Sequence, residues 1–365
     1  MKSDVSPLRS PAGGGKAPLL IVPYQWIGDF VRCHSVVKLL KSLDPERPVD
    51  ILASTNAAPL TRYMPGLRKA IVFDIPRRQL AVKKNLALAE ILRPQKYGQV
   101  LVMPGTFKAA LAPFLARIPK RTGLVGEMRF GLLNDIRYDR KRLPRMIDQC
   151  ASLALPRGAP LPPAWPMPEL VVPKEEISAW RQKHQLPERG VTVALAPGAV
   201  GPSKRWHDYE GLAKALVAKA YSVWIIGGPG EKDQAKQIVS AAPQARDLTG
   251  TDLTDAILAL AAADVAVSND SGLLHVAAAL NTSSIGIFGP TDPWLWAPLN
   301  PLAAVAQLPH RLACQPCHKP VCHVGHHRCM RDIPMAEILA LTEAALANPA
   351  ARAAQIKPPH ALISA

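Results

Sequence analysis

The sequence predicts an α/β protein made of two successive parallel sheets, each doubly wound by helices. Three observations carry that expectation. A chain of 365 residues has room for two domains at about 150 residues each. Short apolar strand patterns alternate with helical stretches of about 10–15 residues, the signature of parallel sheets. The alternation also runs twice, broken at residues 161–173 (LPPAWPMPELVVP), where so many prolines suit neither a helix nor a central strand.

The elements follow in order. Residues 19–23 form a short buried-strand pattern, and after a loop residues 30–43 read as a helix. Residues 49–54, 70–75 and 99–103 read as further strands, with helical apolar spacing over 80–92 between the last two. Residues 137–145 are a loop crowded with arginine, and 161–173 is an interdomain linker. A helix over 174–184 then restarts the pattern: strand 191–196, helix 209–218, strand 222–226, helix 231–241. A helix over 252–262 follows, with Thr251 or Asp252 as its natural N-cap. Strand 264–268, helix 272–280 and strand 284–288 come next. The expected organisation is a flexible segment over 1–17, a Rossmann-like domain over 18–170, a second over 171–345 and a loosely packed tail over 346–365. The two domains face one another across a cleft. No short-period repeat suggests a solenoid.

Composition bounds the function classes. Apolar residues at 48% and charged residues at 20% belong to a folded soluble protein and exclude a disordered chain. The 37 prolines predict stiff connections. No apolar run approaches the ~20 residues of a membrane-spanning helix. The polar, Gly- and Pro-rich start, residues 1–18, lacks the apolar core of a secretory signal, so a cytoplasmic protein is expected. The net charge of +16 is lopsided. Up to residue 170 there are 27 Lys and Arg against 12 Asp and Glu, a net +15, while the remainder carries +1. Such a field attracts phosphate or carboxylate groups on nucleic acid, anionic lipid or an acidic sugar. A solubility surface is the plainer reading, and it leaves the uneven placement unexplained. Nucleic acid is not an expected partner: no recognition helix or aromatic-rich strand motif is evident, and aromatics are 5% of the chain.

Ligands of open parallel sheets bind at the carboxyl ends of strands, so the loops there are the places to look for chemistry. Pro23-Tyr24-Gln25-Trp26-Ile27-Gly28-Asp29 follows the first strand; Gly28 permits a tight turn, and Asp29 at the helix start is either a helix N-cap or a general base. Pro197-Gly198-Ala199-Val200-Gly201-Pro202-Ser203-Lys204-Arg205-Trp206 reads as a phosphate cradle or as a solvated basic turn; it has no Gly-Lys-Ser/Thr triplet and is not a Walker A loop. Ser268-Asn269-Asp270-Ser271-Gly272-Leu273-Leu274-His275 sets a hydroxyl and N–H groups at a helix N-terminus. His275 lies one turn in, on the face shared with Ser271, where it either reaches the same anion or is structural. Gly227-Gly228-Pro229-Gly230-Glu231 is a further glycine-rich loop, its Glu231 serving ribose hydroxyls or charging a helix start, and Gly289-Pro290-Thr291-Asp292-Pro293 closes another strand.

Taken together, Trp26-Ile27-Gly28-Asp29, the Gly201-Pro202-Ser203-Lys204-Arg205-Trp206 loop, Asn269-Asp270-Ser271-Gly272-Leu273-Leu274-His275 and Gly289-Pro290-Thr291-Asp292-Pro293 resemble glycosyltransferase family 9, the bacterial lipopolysaccharide heptosyltransferases. The resemblance spans residues 19–345 in order and leans toward the heptosyltransferase II subgroup. It implies a GT-B architecture, with the acceptor on the N-terminal domain and an ADP-sugar on the C-terminal one. It also implies inverting transfer that requires no cofactor or catalytic metal. By the resemblance Asp29 is the base for a hydroxyl of the inner-core acceptor, and Lys204 neutralises the donor diphosphate. Ser271, Gly272 and His275 lie near phosphate, Asp270 near the heptose hydroxyls, and Glu231 near the ribose. The implied partners are ADP-heptose, a phosphorylated Kdo-lipid A inner-core acceptor, and the anionic inner face of the cytoplasmic membrane, where peripheral contact is expected.

Cys314, Cys317, Cys322 and Cys329 hold four of the six cysteines, with His318, His323, His326 and His327 among them. They are enough for a structural zinc site, although the spacing is not that of a paired Cys-x2-Cys finger. Packed free thiols and redox pairs are the other readings; no catalytic role is expected. Cys33 and Cys150 read as ordinary buried residues.

Overall fold

The computed structural model describes residues 16–76, 79–138 and 143–347. Most of the segment expected over 1–17, residues 139–142 of the arginine-crowded loop, and the tail beyond residue 347 lie outside the described residues.

The first sheet contains β1 (Leu19–Val22), β2 (Val49–Ala53), β3 (Lys69–Val72), β4 (Gln99–Val102), β5 (Lys120–Leu124) and β6 (Asp135–Arg137). Its order is β3-β2-β1-β4-β5-β6, every pair parallel. The helices of this half are α1 (Ile27–Leu43), α2 (Ala58–Thr61), α3 (Val82–Leu92), α4 (Phe107–Leu115) and α5 (Met146–Ser152). After α6 (Lys174–Lys183) comes a second sheet of β7 (Thr192–Ala196), β8 (Ser222–Ile225), β9 (Arg246–Asp247), β10 (Val265–Asn269), β11 (Ser283–Ile287) and β12 (Ala303–Ala306). Its order, β12-β11-β10-β7-β8-β9, is again wholly parallel. Its helices are α7 (Tyr209–Ala218), α8 (Lys232–Ala241), α9 (Leu253–Ala262), α10 (Gly272–Ala279), α11 (Pro293–Trp296), α12 (Arg328–Arg331) and α13 (Met335–Ala347). Among the described residues, no helix is long and apolar enough to cross a membrane.

Both sheets reverse strand order at one point, between β1 and β4 in the first and between β7 and β10 in the second. Chains leaving such neighbouring strands turn to opposite faces and open a crevice at the carboxyl edge. The strands beside these points are β-branched and aliphatic, and every residue of β1, β7 and β10 is buried, as strands covered on both faces require.

Several elements depart from the sequence expectation. The strand expected over 70–75 ends at Val72 on a half-exposed edge. The helix expected from residue 30 begins at Ile27, so Gly28 lies in its first turn and not in a tight loop. Arg137, expected in a loop, closes β6. The linker carries no helix or strand, yet it is pinned to both lobes. Glu169 N–H donates to His34 Nδ1 (2.9 Å), whose Nε2 donates to Pro65 O (2.8 Å). Leu170 N–H reaches Ala279 O and Val171 N–H reaches Tyr63 O, both at 2.8 Å.

The lobes meet through helices. Burial almost all round marks α1 as an interior helix: it packs against α10 and α5, and its apolar side chains join Leu19 and Ile21 of β1 in one core. The small side chains Ala277, Ala278 and Ala279 of α10 are all buried. Contact is tightest at the two helix starts. A Cβ on Gly28 would stand 2.6 Å from His275 Cδ2, and a Cβ on Gly272 would stand 2.8 Å from Ile27 Cβ. Neither position has space for a side chain. We expect Gly28→Ala to destabilise the protein by about 1–3 kcal/mol through overpacking of this junction. Chemical denaturation measures it, and a loss below about 0.5 kcal/mol contradicts the tight approach.

Candidate active site

The abutting helix starts bring four strand-end loops into one place. Asp29 sits in the first turn of α1, after β1. The N-cap is Trp26, without a side-chain cap bond, so the N-cap role considered for Asp29 is not its role here. Its side chain is 24% exposed, and its Oδ1 lies 3.9 Å from Arg32 Nη1. Burial raises its pKa above the ordinary 3.8; Arg32 pulls down, Asp270 pushes up and Lys204 pulls down. Charges from both lobes thus act on one carboxylate.

On the other lobe, Lys204 follows β7 in a single 3-10 turn, Pro202–Lys204, and Asp270 follows β10. Lys204 Nζ and Asp270 Oδ2 form an ion pair at 2.7 Å, and Thr291 Oγ1 donates to the same oxygen at 2.8 Å. Asp270 Oδ1 has no protein partner among the described residues. The pair is held from beneath by Asn269, fully buried: its Oδ1 accepts from Trp206 N–H (3.0 Å) and its Nδ2 donates to Pro197 O (2.7 Å). Sequence reasoning gave no role to Thr291 or Asn269, though both stand inside the quoted motifs. It passed over Arg32 altogether, whose signal was its place one helical turn from Asp29.

Ser271 is the N-cap residue of α10 but its hydroxyl makes no cap bond; it meets Ser268 Oγ at 3.0 Å. The first N–H groups of α10, from Gly272 onward, therefore have no side-chain cap. His275 lies one turn in, buried beneath Gly28, with Nδ1 unpartnered. Burial drives its pKa down to about 3, and Arg32 and Lys204 push the same way against Asp270. The imidazole is neutral, so the expectation of an anion partner holds only for an uncharged N–H donor. Glu231 closes the 3-10 turn Pro229–Glu231 after β8, and its side chain lies across the glycine of the β7 loop: a Cβ on Gly198 would stand 2.8 Å from Glu231 Oε1.

Two lobes with the same strand order, meeting where one offers a carboxylate and the other an ion pair beside an uncapped helix start, is an architecture shared by known enzymes. The sequence profile of glycosyltransferase family 9 (heptosyltransferase) matches residues 85–327. The chain belongs to glycosyltransferase family 9. Lipopolysaccharide heptosyltransferase 2 of Escherichia coli K12 is 35% identical over 307 residues, covering 80% of this chain and 88% of that protein. Lipooligosaccharide heptosyltransferase 2 of Haemophilus ducreyi is 34% identical over 310 residues with the same coverage. The solved structure of E. coli ADP-heptose LPS heptosyltransferase II matches with a TM-score of 0.79 at 32% identity, covering 90% of this chain and 98% of that one.

In this glycosyltransferase the cysteine segment borders the site. Among the described residues no group of three or more His, Cys, Asp or Glu is arranged to hold a metal. Cys314 Sγ stands 3.9 Å from His326 Nε2. The Cys322 sulfur instead takes backbone N–H groups, that of His327 foremost, which lower its pKa. Cys329 is buried, and burial together with Cys317, Cys314 and Cys322 nearby pushes its thiol up to about 11. All six cysteines are free thiols. The segment is held by main-chain bonds: Pro320 O accepts from Ser203 N–H (3.1 Å), and His318 N–H donates to Pro290 O (2.9 Å). Lys319 O and Gly289 O accept from the Ser203 hydroxyl and the Gln315 amide, each at 2.5 Å. It thereby links the loop bearing Lys204 to the loop bearing Thr291.

Because the folded-state pKa of Asp29 lies above 3.8, the folded chain holds that proton more tightly than the unfolded chain between the two values. Stability therefore falls as pH rises through that window, and the deficit is complete above it. We expect the Tm of Asp29→Asn relative to the parent to increase as pH is raised from about 4 to about 7. Calorimetry across that range checks it; a constant or shrinking difference contradicts the burial of this charge.

Proposed function

We propose that the chain transfers heptose from ADP-L-glycero-D-manno-heptose to the inner core of lipopolysaccharide, inverting the anomeric carbon, with Asp29 as general base. The observation that carries this reading is the convergence of Asp29, from the first lobe, with Lys204 and Asp270, from the second. ADP-heptose is named for the E. coli relative, and lipopolysaccharide is named for the matching heptosyltransferases.

The acceptor hydroxyl lies between Asp29 and the sugar. Its oxygen attacks the anomeric carbon as its proton passes to Asp29, and the ADP oxygen leaves from the opposite face. Asp29 suits this task because burial raises its pKa toward the working range of a base while Arg32 and Lys204 keep it from rising freely. Negative charge grows on the departing diphosphate. Lys204 Nζ, the uncapped N–H groups of Ser271 and Gly272 and the positive end of α10 stabilise it. Asp270 fixes Lys204 through Oδ2 and offers Oδ1 to a heptose hydroxyl. His275 supports the turn in its neutral form, and Glu231 takes the ribose. Charge stabilisation comes from these groups, without a catalytic metal. The acceptor is polyanionic, and the net +15 of residues 1–170 suits it and the anionic inner leaflet of the cytoplasmic membrane, where we place the enzyme peripherally.

Mass spectrometry of truncated core lipopolysaccharide incubated with the protein and ADP-heptose tests the reading; the expected product gains one heptose. Asp29→Ala folds and binds ADP but loses transfer by several orders of magnitude. Lys204→Ala loses about 10²–10³-fold with the donor. No heptosylated product from the parent, or normal turnover by Asp29→Ala, overturns it.

A further inference from the structure

Arg32 stands out among the charged groups to which the reaction gives no contact with substrate. It is 2% exposed, projects from α1 of the first lobe and ends in the second. Its Nη2 donates to Leu295 O of α11 at 2.8 Å, and its guanidinium lies 5.5 Å from the centre of the Trp296 ring. Nε and Nη1 are buried without a hydrogen-bond partner. Leaving charged donors unsatisfied in the interior is costly, and exceptions of this kind call for a cause. The cause on hand is Asp29, one helical turn earlier, whose Oδ1 is 3.9 Å from Nη1: inside the reach of its charge and beyond hydrogen-bond length. Arg145, which is paired with Asp148 at 2.6 Å, also reaches α11, its guanidinium 5.9 Å from the centre of the Trp294 ring. The short helix α11 is thus where the second lobe grips two cations of the first.

We propose that Arg32 is the positioning residue of Asp29, with its guanidinium anchored on Leu295 and Trp296 so that docking of the second lobe sets the charge and orientation of the base. This inference rests on Asp29 being the base. An arginine fixed at both ends cannot swing away, so the carboxylate always meets the same cation when the lobes are together. If α11 withdraws, Arg32 loses its anchor and Asp29 its counter-charge, which confines the active base to the closed site. The groups facing Asp29 are Arg32 on its own helix, Lys204 after β7 and Asp270 after β10. His275 on α10 and the thiols of Cys33 and Cys150 on α1 and α5 share the same electrostatic neighbourhood through Arg32. Lys204 is already committed to Asp270 by their ion pair. Arg32 is therefore the cation whose removal acts most directly on Asp29.

The test is the pH dependence of kcat for the full chain with ADP-heptose and truncated core lipopolysaccharide. Arg32→Gln drops the charge and keeps a polar amide near the Nε position; Arg32→Met leaves an apolar chain; Arg32→Lys restores the charge. Loss of an opposite charge at this distance moves a carboxyl by about 1–3 pH units. We expect the acid limb of kcat to move upward by about that much in Arg32→Gln and Arg32→Met, and most of the way back in Arg32→Lys. KM for the donor should stay within about threefold. Should Arg32→Met fail to fold, Arg32→Gln against Arg32→Lys carries the comparison. An acid limb unmoved in all variants, with kcat reduced equally at every pH, overturns the proposal and leaves Arg32 as packing. Asp29→Asn run alongside separates the two failures: near-normal turnover by that variant refutes the base itself, whereas a dead Asp29→Asn with unmoved Arg32 profiles refutes only the positioning role.

Discussion

The whole arrangement depends on how closely the starts of two helices from different lobes can approach. Gly28 and Gly272 carry no side chain where His275 and Ile27 press against them, and α1 and α10 therefore pack closely at their starts. Both helices begin just past strands that flank the reversal of strand order in their own sheets, β1 and β10. Each parallel sheet alone would offer a shallow crevice. Pressing the two crevices together converts separate strand-end loops into one enclosure containing a carboxylate, an ion pair and an open helix N-terminus. A methyl group at either glycine would stand 2.6–2.8 Å from its neighbour across the junction, so something there would have to shift.

Within that enclosure the formal charges balance. Asp29 and Asp270 are negative, Lys204 and Arg32 positive, and His275 is held neutral by burial. The balance makes a desolvated cluster tolerable, since isolated buried ions are far costlier than paired ones. In the proposed reaction it also means that no group has to be recruited. Lys204 is already oriented by Asp270 and Thr291, which are in turn braced by Asn269 and by the bonds of the cysteine segment to neighbouring loops. Preorganisation of this kind removes the reorientation cost that water would exact as charge moves from the attacking oxygen to the diphosphate.

Much of this was legible in the residues because strands next to the reversal points carry apolar runs, such as Leu19–Val22 and residues 265–267, and the loops after them carry glycines and charges. The peripheral strands were not. Lys120–Leu124 and Asp135–Arg137 are polar, and Ala303–Ala306 is mostly alanine, so pairing with a neighbour and not intrinsic preference makes them strands. The purpose of Gly28 was misread for a related reason: local geometry suggested a turn, whereas its constraint comes from His275, far along the chain. Arg32 was invisible because its partners, Leu295 and Trp296, belong to the other lobe. The cysteines are a different case: spacing alone does not say that Cys314, Cys317 and Cys322 all bear on the buried Cys329, or that Cys322 takes main-chain N–H groups.

The central claim is that residue 29 and the diphosphate pocket serve opposite faces of one sugar carbon. A crystal structure of Asp29→Asn with an unreactive ADP-heptose analogue and a truncated acceptor measures this directly. The account predicts the substituted side chain about 2.6–3.2 Å from the acceptor hydroxyl, that hydroxyl in line with the anomeric C–O bond, and the diphosphate against Lys204 and the start of α10. An acceptor hydroxyl bound out of reach of residue 29, or on the same face of the sugar as the diphosphate, would contradict it.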